Sequence, residues 1–324
     1  AEAEVEYKDR SDASVYVKFP VRGAERRVPA LDGRSVALLI WTTTPWTLPA
    51  NMAVCLHPEL SYVAVEIGEE TLVVAEGLLA QVGQALGWES PSVVARFTGR
   101  ELVGEGDGWA GATMPVERPY LAAEGAAAGD GVLLLGEHVT LEAGTGCVHT
   151  APGHGADDFY VGQKYGLEIF NPVDDDGSFM AKKVGQDWLR GRHVLDANPA
   201  IVEDLRGRGL LLHDETYKHS DPHCWRCNNP LLFRSTPQWF ISMETDDLRR
   251  KALEQIHASR WLPRYGEARI AQMIENRPDW CISRQRTWGV PIPAVVCADC
   301  FERHPDAFLR DAGLFEHLQA LFLE

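Results

Sequence analysis

Two stretches of the sequence place polar side chains at spacings that could bind a ligand and position a water molecule. Residues 41–51 supply three consecutive threonine hydroxyls, a terminal amide and two indoles: Thr42, Thr43, Thr44, Asn51, Trp41 and Trp46. Residues 144–159 supply two imidazoles and two carboxylates among four glycines: His149, His154, Asp157 and Asp158. Since the sequence has no G-x-S-x-G nucleophile elbow and no H-E-x-x-H metal helix, hydrolysis here would have to use a positioned water.

The two adjacent aspartates are expected to play different parts. Both fall in the first turn of a predicted helix, residues 156–165. A carboxylate there complements the helix dipole, which stabilises the helix by ~0.3–1 kcal/mol, and we assign only this role to Asp157. Asp158 lies ~100° further round the helix, so it is free to face a ligand.

The threonines follow a short apolar run, residues 36–40, that predicts a buried β-strand. Polar groups at the end of a buried strand are held by a rigid element, which favours a binding site. The alternative is an ordinary strand end with β-branched residues and threonine caps. The glycine-rich second stretch, where a ligand could approach the main chain, favours the site.

Short β-type segments and a few helices predict an α+β fold, with a barrel or sandwich of strands and peripheral helices. Predicted strands include residues 63–67, 72–74, 93–97, 132–135 and 210–213, and predicted helices residues 78–86, 156–165 and 198–206. Beyond residue 217, the pattern changes to helices at residues 246–257, 267–276 and 305–323, with one short strand at 238–240. We therefore predict two domains, residues 1–217 and 218–324.

Composition and charge exclude several classes of protein. The 324 residues are 45% hydrophobic, and no apolar run approaches the ~20 residues of a membrane span, so we predict a cytoplasmic, monomeric protein without membrane contact. Net charge is −16, and residues 1–217 hold 33 acidic against 17 basic side chains. Such an acidic domain does not coat nucleic acid nonspecifically, so a nucleic acid would have to enter locally.

The cysteines predict metal binding in a reducing compartment rather than a disulfide framework. Two of the C-x₂-C pairs that commonly hold structural zinc are present, Cys224 with Cys227 and Cys297 with Cys300. They could form one four-cysteine site or two half-sites, of which we favour the half-sites, and four reduced thiols are a third possibility. The remaining cysteines lie in apolar contexts typical of core packing: Cys55, Cys147 and Cys281.

Four segments together resemble the bacterial isoleucyl-tRNA synthetases over essentially the whole chain. They are the two stretches above, the segment His223-Cys-Trp-Arg-Cys227, and residues 277–291 with the sequence Arg-Pro-Asp-Trp-Cys-Ile-Ser-Arg-Gln-Arg-Thr-Trp-Gly-Val-Pro. The H-x-G-H and K-M-S-K-S signatures of class I synthetases do not occur. The resemblance therefore implies a fragment without the ATP-binding motifs, and ATP and magnesium are expected only in the parent enzyme.

The resemblance implies that residues 1–217 are the editing (CP1) domain, a β-barrel with peripheral helices. Residues 218–324 would be part of the Rossmann-type catalytic core and the start of a second insertion. The implied function is hydrolysis of valyl-tRNA(Ile), with the tRNA acceptor end and valine as partners. A second pocket of this kind is needed because a hydrophobic site distinguishes ligands that differ by one methylene by only ~1–3 kcal/mol, a limit for which this family is the standard example.

The resemblance also assigns site roles residue by residue. Asp158 would hold the substrate's α-ammonium group, and His149 would limit the size of the accepted side chain. Four pocket-lining residues would orient the terminal adenosine and the attacking water: Thr43, Thr44, Trp46 and Asn51. Of these, Thr43, Thr44 and Asn51 are expected to be catalytic together with Asp158, whereas Thr42 and His154 are expected to bind substrate. The alternative is that the chain has no catalytic activity. It would then be either a module that binds the tRNA acceptor end or a zinc-stabilised adaptor. A free-standing editing enzyme is disfavoured because it would have no use for residues 218–324.

Overall fold

The computed structural model describes residues 5–104, 114–283, 292, 294–297 and 312–323. Contacts divide the chain into two units, residues 1–235 and 236–324. Within the described ranges, no helix combines the length and the apolar character that a membrane crossing requires.

Two sheets build the first unit. In chain order its strands are β1 Val5–Pro20, β2 Ser35–Thr42, β3 Ala53–Leu56, β4 Ser61–Ile67, β5 Glu70–Ala75, β6 Ser92–Thr98, β7 Pro115–Val116, β8 Gly131–Leu135, β9 Cys147–Thr150 and β10 Leu211–Cys224. The larger sheet has the order β10-β1-β2-β5-β4-β6, and the smaller one β7-β8-β3-β9. β2 runs parallel to β5 and β3 runs parallel to β8, whereas the other pairs are antiparallel.

The helices of the first unit are α1 Leu79–Leu86, α2 Gly99–Val103, α3 Ala156–Tyr165 and α4 Val194–Gly207. Short 3₁₀ helices join several strands, and the one at Pro45–Ala50 is buried along its whole length. Most buried apolar side chains form one cluster that includes the interior residues of β1, β2, β4, β5 and α4. A second cluster packs α3 against the smaller sheet, with Cys55, Leu134 and Phe170 among its members.

The predicted α+β class is confirmed, but the strands form two open sheets rather than a closed barrel. The physical reason lies after β2, where the chain enters the 3₁₀ helix Pro45–Ala50 instead of continuing as a paired strand. Pro45 and Pro49 have no N–H group to donate to a neighbouring strand. When the chain is next extended, at β3, it pairs with β8 and β9 and so belongs to the other sheet.

The contacts divide the chain later than residue 217. That position lies inside β10, where Tyr217 pairs with Asp12 of β1. The chain then stays on the first unit as far as Ser235, whose N–H group donates to the Gly153 carbonyl. The pairing of β1 with β10 therefore holds residues 218–224 in the larger sheet.

The second unit contains α5 Leu248–Ala258, α6 Tyr265–Glu275 and α7 Ala312–Leu323, with a two-stranded ribbon of β11 Phe240–Ile241 and β12 Trp280–Cys281. The predicted helices are confirmed in their described parts. The predicted strand at 238–240 is shorter than expected: β11 begins two residues later and ends one residue later, because Trp239 donates its N–H group to the Ser283 hydroxyl. Asp279 accepts a hydrogen bond from the Met243 N–H group at 2.9 Å, which ties the ribbon to the chain before α5. Residues 284–291 of the fourth motif lie outside the described part.

Candidate functional site

The three threonines close a turn at the end of β2. The Thr44 N–H group donates to the Thr42 hydroxyl, and the two hydroxyl oxygens are 3.1 Å apart. Thr47, one turn into the 3₁₀ helix, donates its hydroxyl proton to the Thr44 carbonyl at 2.9 Å. Hydroxyl-to-backbone bonds of this kind stop a strand and start a helical turn, so the local sequence itself turns the chain here. Thr43 is half-buried in the same turn.

His149 lies at the centre of a closed hydrogen-bond network. It stands on β9 opposite Val54 of β3, which brings it beside the end of the 3₁₀ helix. Its Nδ1 is 2.7 Å from the Asn51 Nδ2, and its Nε2 is 2.9 Å from the Thr47 hydroxyl. The Asn51 amide donates a second hydrogen bond to the Ala53 carbonyl at 2.8 Å.

These bonds fix the protonation of the His149 ring. The amide of Asn51 can only donate to Nδ1, so Nδ1 carries the lone pair and Nε2 carries the proton. The Thr47 hydroxyl gives its own proton to Thr44 and therefore accepts from Nε2. Burial, and secondarily the nearby His154, lower the pKa of His149 to about 3. The ring is neutral, and neither nitrogen has a lone pair left for a proton transfer.

The glycine stretch carries the chain from β9 into α3. Gly146 has a positive φ of 77°, and a Cβ there would stand 2.3 Å from the Cβ of Ala75. At Gly153, a Cβ would stand 2.4 Å from the Phe170 carbonyl oxygen. Both positions require glycine because another segment approaches closely, with the Ala75 side chain at Gly146 and backbone at Gly153.

The two aspartates of α3 are placed differently. Asp157 is exposed, whereas Asp158 is partly buried. One Asp158 oxygen, Oδ2, accepts a hydrogen bond from the Ala151 N–H group at 2.9 Å, which joins the helix start to the end of β9. Burial raises the pKa of Asp158 to about 6, against the lowering effect of the Ala151 bond. A carboxyl group with this pKa is mostly ionised at neutral pH although burial disfavours its charge, so it is suited to a cationic partner.

His154 has one nitrogen engaged and one open. Its Nδ1 is 2.9 Å from the Phe233 carbonyl, which can only accept, so Nδ1 carries the proton. Its Nε2 is buried and has no hydrogen-bond partner in the described structure. The ring meets Trp46 edge-on with centroids 5.1 Å apart. Burial lowers the pKa of His154 to about 4 although the bond to Phe233 opposes this, so the open nitrogen is an acceptor at neutral pH.

The structure thus brings together most of the candidate residues. Thr42, Thr44, Asn51 and His149 share one network through Thr47, while Trp46 and His154 are in ring contact. Asp158 is bonded to its own loop. Sequence reasoning missed Thr47, although its place three residues after Thr44 on one helical turn was a usable signal. It also missed the Phe233 contribution, for which no signal exists because the group is a backbone carbonyl.

The predicted metal ligands are only partly tested. Bonds to Cys224 from the backbone N–H groups of Cys227 and Arg226 lower the pKa of its thiol, and the turn closes through Asn228 with a positive φ of 60°. That geometry fits one half of a thiolate metal site. In the described part of the chain, no three or more metal-ligating side chains lie together as a metal site would require. Cys297 is exposed, and Cys300 lies outside the described residues. Of the remaining cysteines, Cys55 and Cys147 are buried as predicted and Cys281 is partly buried.

Sequence comparison identifies the class of protein that carries this polar network and glycine loop. Residues 1–313 match the family model for class I tRNA synthetases (I, L, M and V), and the chain belongs to that family. Its curated relatives include the isoleucine–tRNA ligase of Geobacter sulfurreducens, 49% identical over 327 residues, and that of Syntrophotalea carbinolica, 48% identical over 322 residues. These matches cover 100% and 98% of this chain.

The isoleucine-specific resemblance of the motifs is therefore confirmed at the level of sequence. The chain spans about a third of the length of these relatives, 32% in both cases. Among solved structures, the chain is similar to a leucyl-tRNA synthetase CP1 domain, with a TM-score of 0.45, 15% identity, and coverage of 61% of this chain and 97% of that one. It is also similar to the Plasmodium knowlesi cytosolic leucyl-tRNA synthetase editing domain, with a TM-score of 0.44, 11% identity, and coverage of 65% and 97%.

Proposed function

We propose that the first unit hydrolyses valyl-tRNA(Ile), the ester formed when valine is attached to the tRNA for isoleucine. The observation that carries this proposal is the placement of His149, which is held by Asn51 and Thr47 with both ring nitrogens engaged. A side chain held so firmly is suited to limiting the size of a neighbouring group. Membership of the family, with isoleucine–tRNA ligases as relatives, supplies the reason for a site that separates valine from isoleucine.

Asp158 binds the α-ammonium group of the esterified amino acid in this proposal. Its partial burial and raised pKa leave a carboxylate that gains from a cationic partner, because an opposite charge nearby favours the ionised form. A charge-assisted bond of this kind is directional and fixes the ester relative to the rest of the site. Asp157, exposed at the same helix start, stays a dipole partner.

Hydrolysis then needs a positioned water, and four groups are available to hold it or the ribose. His154 offers the open Nε2 as an acceptor, and the buried Asn51 Oδ1 is a second acceptor with no partner in the described structure. Thr43 and Thr44 offer hydroxyls at the rim of the turn. Trp46, itself buried, contacts the His154 ring edge-on. A neutral acceptor that orients the water, together with the substrate's own free ribose hydroxyl, replaces a strong general base.

The same proposal extends to the whole protein of which such chains form about a third. That protein ligates isoleucine to tRNA(Ile) with ATP and magnesium, and this chain does not aminoacylate because the H-x-G-H and K-M-S-K-S signatures are absent. Zinc held by the Cys224 and Cys227 thiolates has a structural role and takes no part in the reaction. The protein acts as a monomer in the cytoplasm.

Deacylation of valyl-tRNA(Ile) by this 324-residue chain is the direct test. We expect release of valine faster than the spontaneous rate and no ATP–pyrophosphate exchange. A chain that binds the tRNA acceptor end but leaves the ester intact would establish the noncatalytic alternative. Measurable pyrophosphate exchange would contradict the division of labour proposed here.

A further inference from the structure

Arg118 is a buried cation that lies behind the site. Only 3% of the residue is exposed, and it is the only lysine or arginine between Arg100 and Lys164. No carboxylate lies within ion-pair distance of it among the described side chains. Burial lowers the pKa of Arg118 to about 10, so it stays charged at neutral pH. A buried charge without a partner charge is costly unless hydrogen bonds replace its water.

Backbone carbonyls provide those hydrogen bonds. One guanidinium nitrogen, Nη1, donates to the Asn51 carbonyl at 2.5 Å, and Nε donates to the Gly129 carbonyl at 2.9 Å. Nη2 donates to the carbonyls of Ala127 and Gly129. The planar fork of arginine suits several acceptors at once, which the ammonium group of lysine cannot reproduce. Arg118 therefore fastens the end of the buried 3₁₀ helix to residues 127–129.

The side chain of Arg118 is itself fixed in place. A Cβ added at Gly131 would stand 2.9 Å from the Arg118 Cγ, so the stem lies directly against the start of β8. Asn51, held at its carbonyl by Arg118, uses its side-chain amide to hold His149. The contacts run without a break from the cation through Asn51 to the ring.

We propose that Arg118 is a positioning residue, which acts through Asn51 to orient the His149 ring and so sets the size limit of the site. This inference rests on the proposed function, since the size limit matters only if an amino acid ester binds there. Arg118 contacts neither ring nor substrate in this scheme. Its effect is to keep Asn51 where the amide donates to Nδ1.

The test compares Arg118→Lys and Gly131→Ala with Lys18→Met as the matched control. Lys18 is also a buried cation, bonded to Glu70 at 2.7 Å, but it belongs to the larger sheet. Gly131→Ala is the mild variant, because the added methyl group would displace the Arg118 stem without removing the charge. All three proteins are checked for folding by circular dichroism and thermal melting before any assay.

Two readouts are measured. In ¹⁵N-histidine NMR, the wild-type His149 should show one protonated and one unprotonated ring nitrogen, assigned with His149→Ala. Arg118→Lys and Gly131→Ala should move both signals toward the averaged values of exchanging tautomers. In deacylation, the ratio of valyl to isoleucyl rates should fall in Arg118→Lys by about two- to fourfold, because a displaced ring opens part of the space that an extra methylene would fill.

The outcomes separate the two proposals. Wild-type protein that fails to deacylate valyl-tRNA(Ile) overturns the proposed function, while the NMR comparison still tests the positioning role. If the wild type is active but Arg118→Lys and Gly131→Ala keep the His149 signals and the rate ratio, the positioning role is wrong. It is also wrong if Lys18→Met shifts both readouts as much as these two variants do, since the effect would then be general destabilisation.

Discussion

The two sides of the site differ in how far their polar groups are satisfied. On the threonine side, His149 has a partner for each ring nitrogen, and the network around it closes through Thr47, Thr44 and Asn51. On the glycine-loop side, His154 leaves its Nε2 unpartnered among the described residues, and Asp158 is a carboxylate with a raised pKa. Both histidines are buried and neutral, so burial alone does not tell their roles apart.

The comparison shows that hydrogen-bond partners, rather than residue type, distinguish the two roles. A histidine with both nitrogens bonded shapes the pocket, whereas a histidine with an open nitrogen can bind a ligand. A buried polar atom without a partner costs roughly 1–3 kcal/mol, which a ligand or a water can recover. In the network around His149, the Asn51 Oδ1 is left without a partner among the described residues, but both His149 nitrogens are engaged, so the ring has nothing to recover and acts through its shape. The variants below test whether the closed side controls selectivity and the open side controls rate.

Removal of the carboxylate on the open side should have the largest effect. Asp158→Ala is expected to lower kcat/KM for valyl-tRNA(Ile) deacylation by about 100-fold, because the ammonium anchor and with it the position of the ester are lost. Asp157→Ala is the matched control, one residue away at the same helix start, and should change the rate less than about twofold. Equal losses from both variants, at unchanged melting temperature, would mean that the helix start rather than the carboxylate matters.

Asp158 should also make stability depend on pH. Its pKa rises from 3.8 to about 6 in the folded protein, so the fold favours the protonated form. Protonated Asp158 therefore contributes up to ~3 kcal/mol to the free energy of unfolding. This stabilisation is fully present below the unfolded pKa and is lost as pH rises through about 6. Because asparagine does not ionise, Asp158→Asn does not lose stability as the pH rises, and it should be more stable than wild type near neutral pH.

The measurement is the free energy of unfolding in urea for both proteins, at about pH 4 and about pH 7.5. The difference between Asp158→Asn and wild type should grow in favour of the variant at the higher pH. A difference that stays constant across this range would show that Asp158 titrates normally and is solvated in the fold.

The sequence alone predicted the elements whose apolar pattern is regular. The buried run at residues 36–40 became β2, and the helix at residues 156–165 is present with the same bounds. β1 was missed because its first half carries Lys8, Asp9, Arg10 and Asp12 instead of alternating apolar residues. Those charges are balanced across the sheet by β10, as in the pair between Lys218 and Asp9 at 2.9 Å. Such a match between distant segments leaves no local signal.

The same limit applied to the site. His149, His154 and Asp158 were selected because chemically versatile side chains crowded one glycine loop. Which ring nitrogen is free could not be predicted, since the answer depends on the Phe233 carbonyl, 79 positions along the chain from His154. Arg118 was overlooked for a related reason, because its partners are backbone carbonyls that look alike in any sequence.

His154 allows a paired test of the open nitrogen. In His154→Gln, the side-chain oxygen can take the place of Nε2 as an acceptor, while the bond to Phe233 is lost. In His154→Asn, the amide can still donate to the Phe233 carbonyl, but nothing reaches the Nε2 position. We expect the Asn variant to be about tenfold slower in deacylation than the Gln variant, the value of one hydrogen bond of ~1.4 kcal/mol.

Stability should follow the opposite order in this pair, because the Phe233 bond holds the loop in the Asn variant only. The comparison of kcat with thermal melting for both proteins therefore separates function from folding. If the Gln variant is both slower and less stable than the Asn variant, the open nitrogen has no part in the reaction and His154 serves only to hold the loop.

The smallest effect is expected at His149, and it concerns selectivity. His149→Ala should open space for the extra methylene of isoleucine, whose burial is worth ~0.8 kcal/mol, or about fourfold in the ratio of valyl to isoleucyl deacylation. Relief of a clash would lower this ratio further. His138→Ala, which removes another partly buried histidine with a lowered pKa, is the control and should leave the ratio unchanged.

Because both nitrogens of His149 are engaged, a role in shaping the pocket and a role as general base predict different results for His149→Ala. If His149 were a general base, its loss would slow both esters equally and would remove an inflection from the pH–rate profile. Its pKa of about 3 and its engaged nitrogens argue against that role. An unchanged ratio with both rates depressed would nevertheless require that the Asn51 or Thr47 bond opens during the reaction, and the distinction between a closed and an open side would then fail.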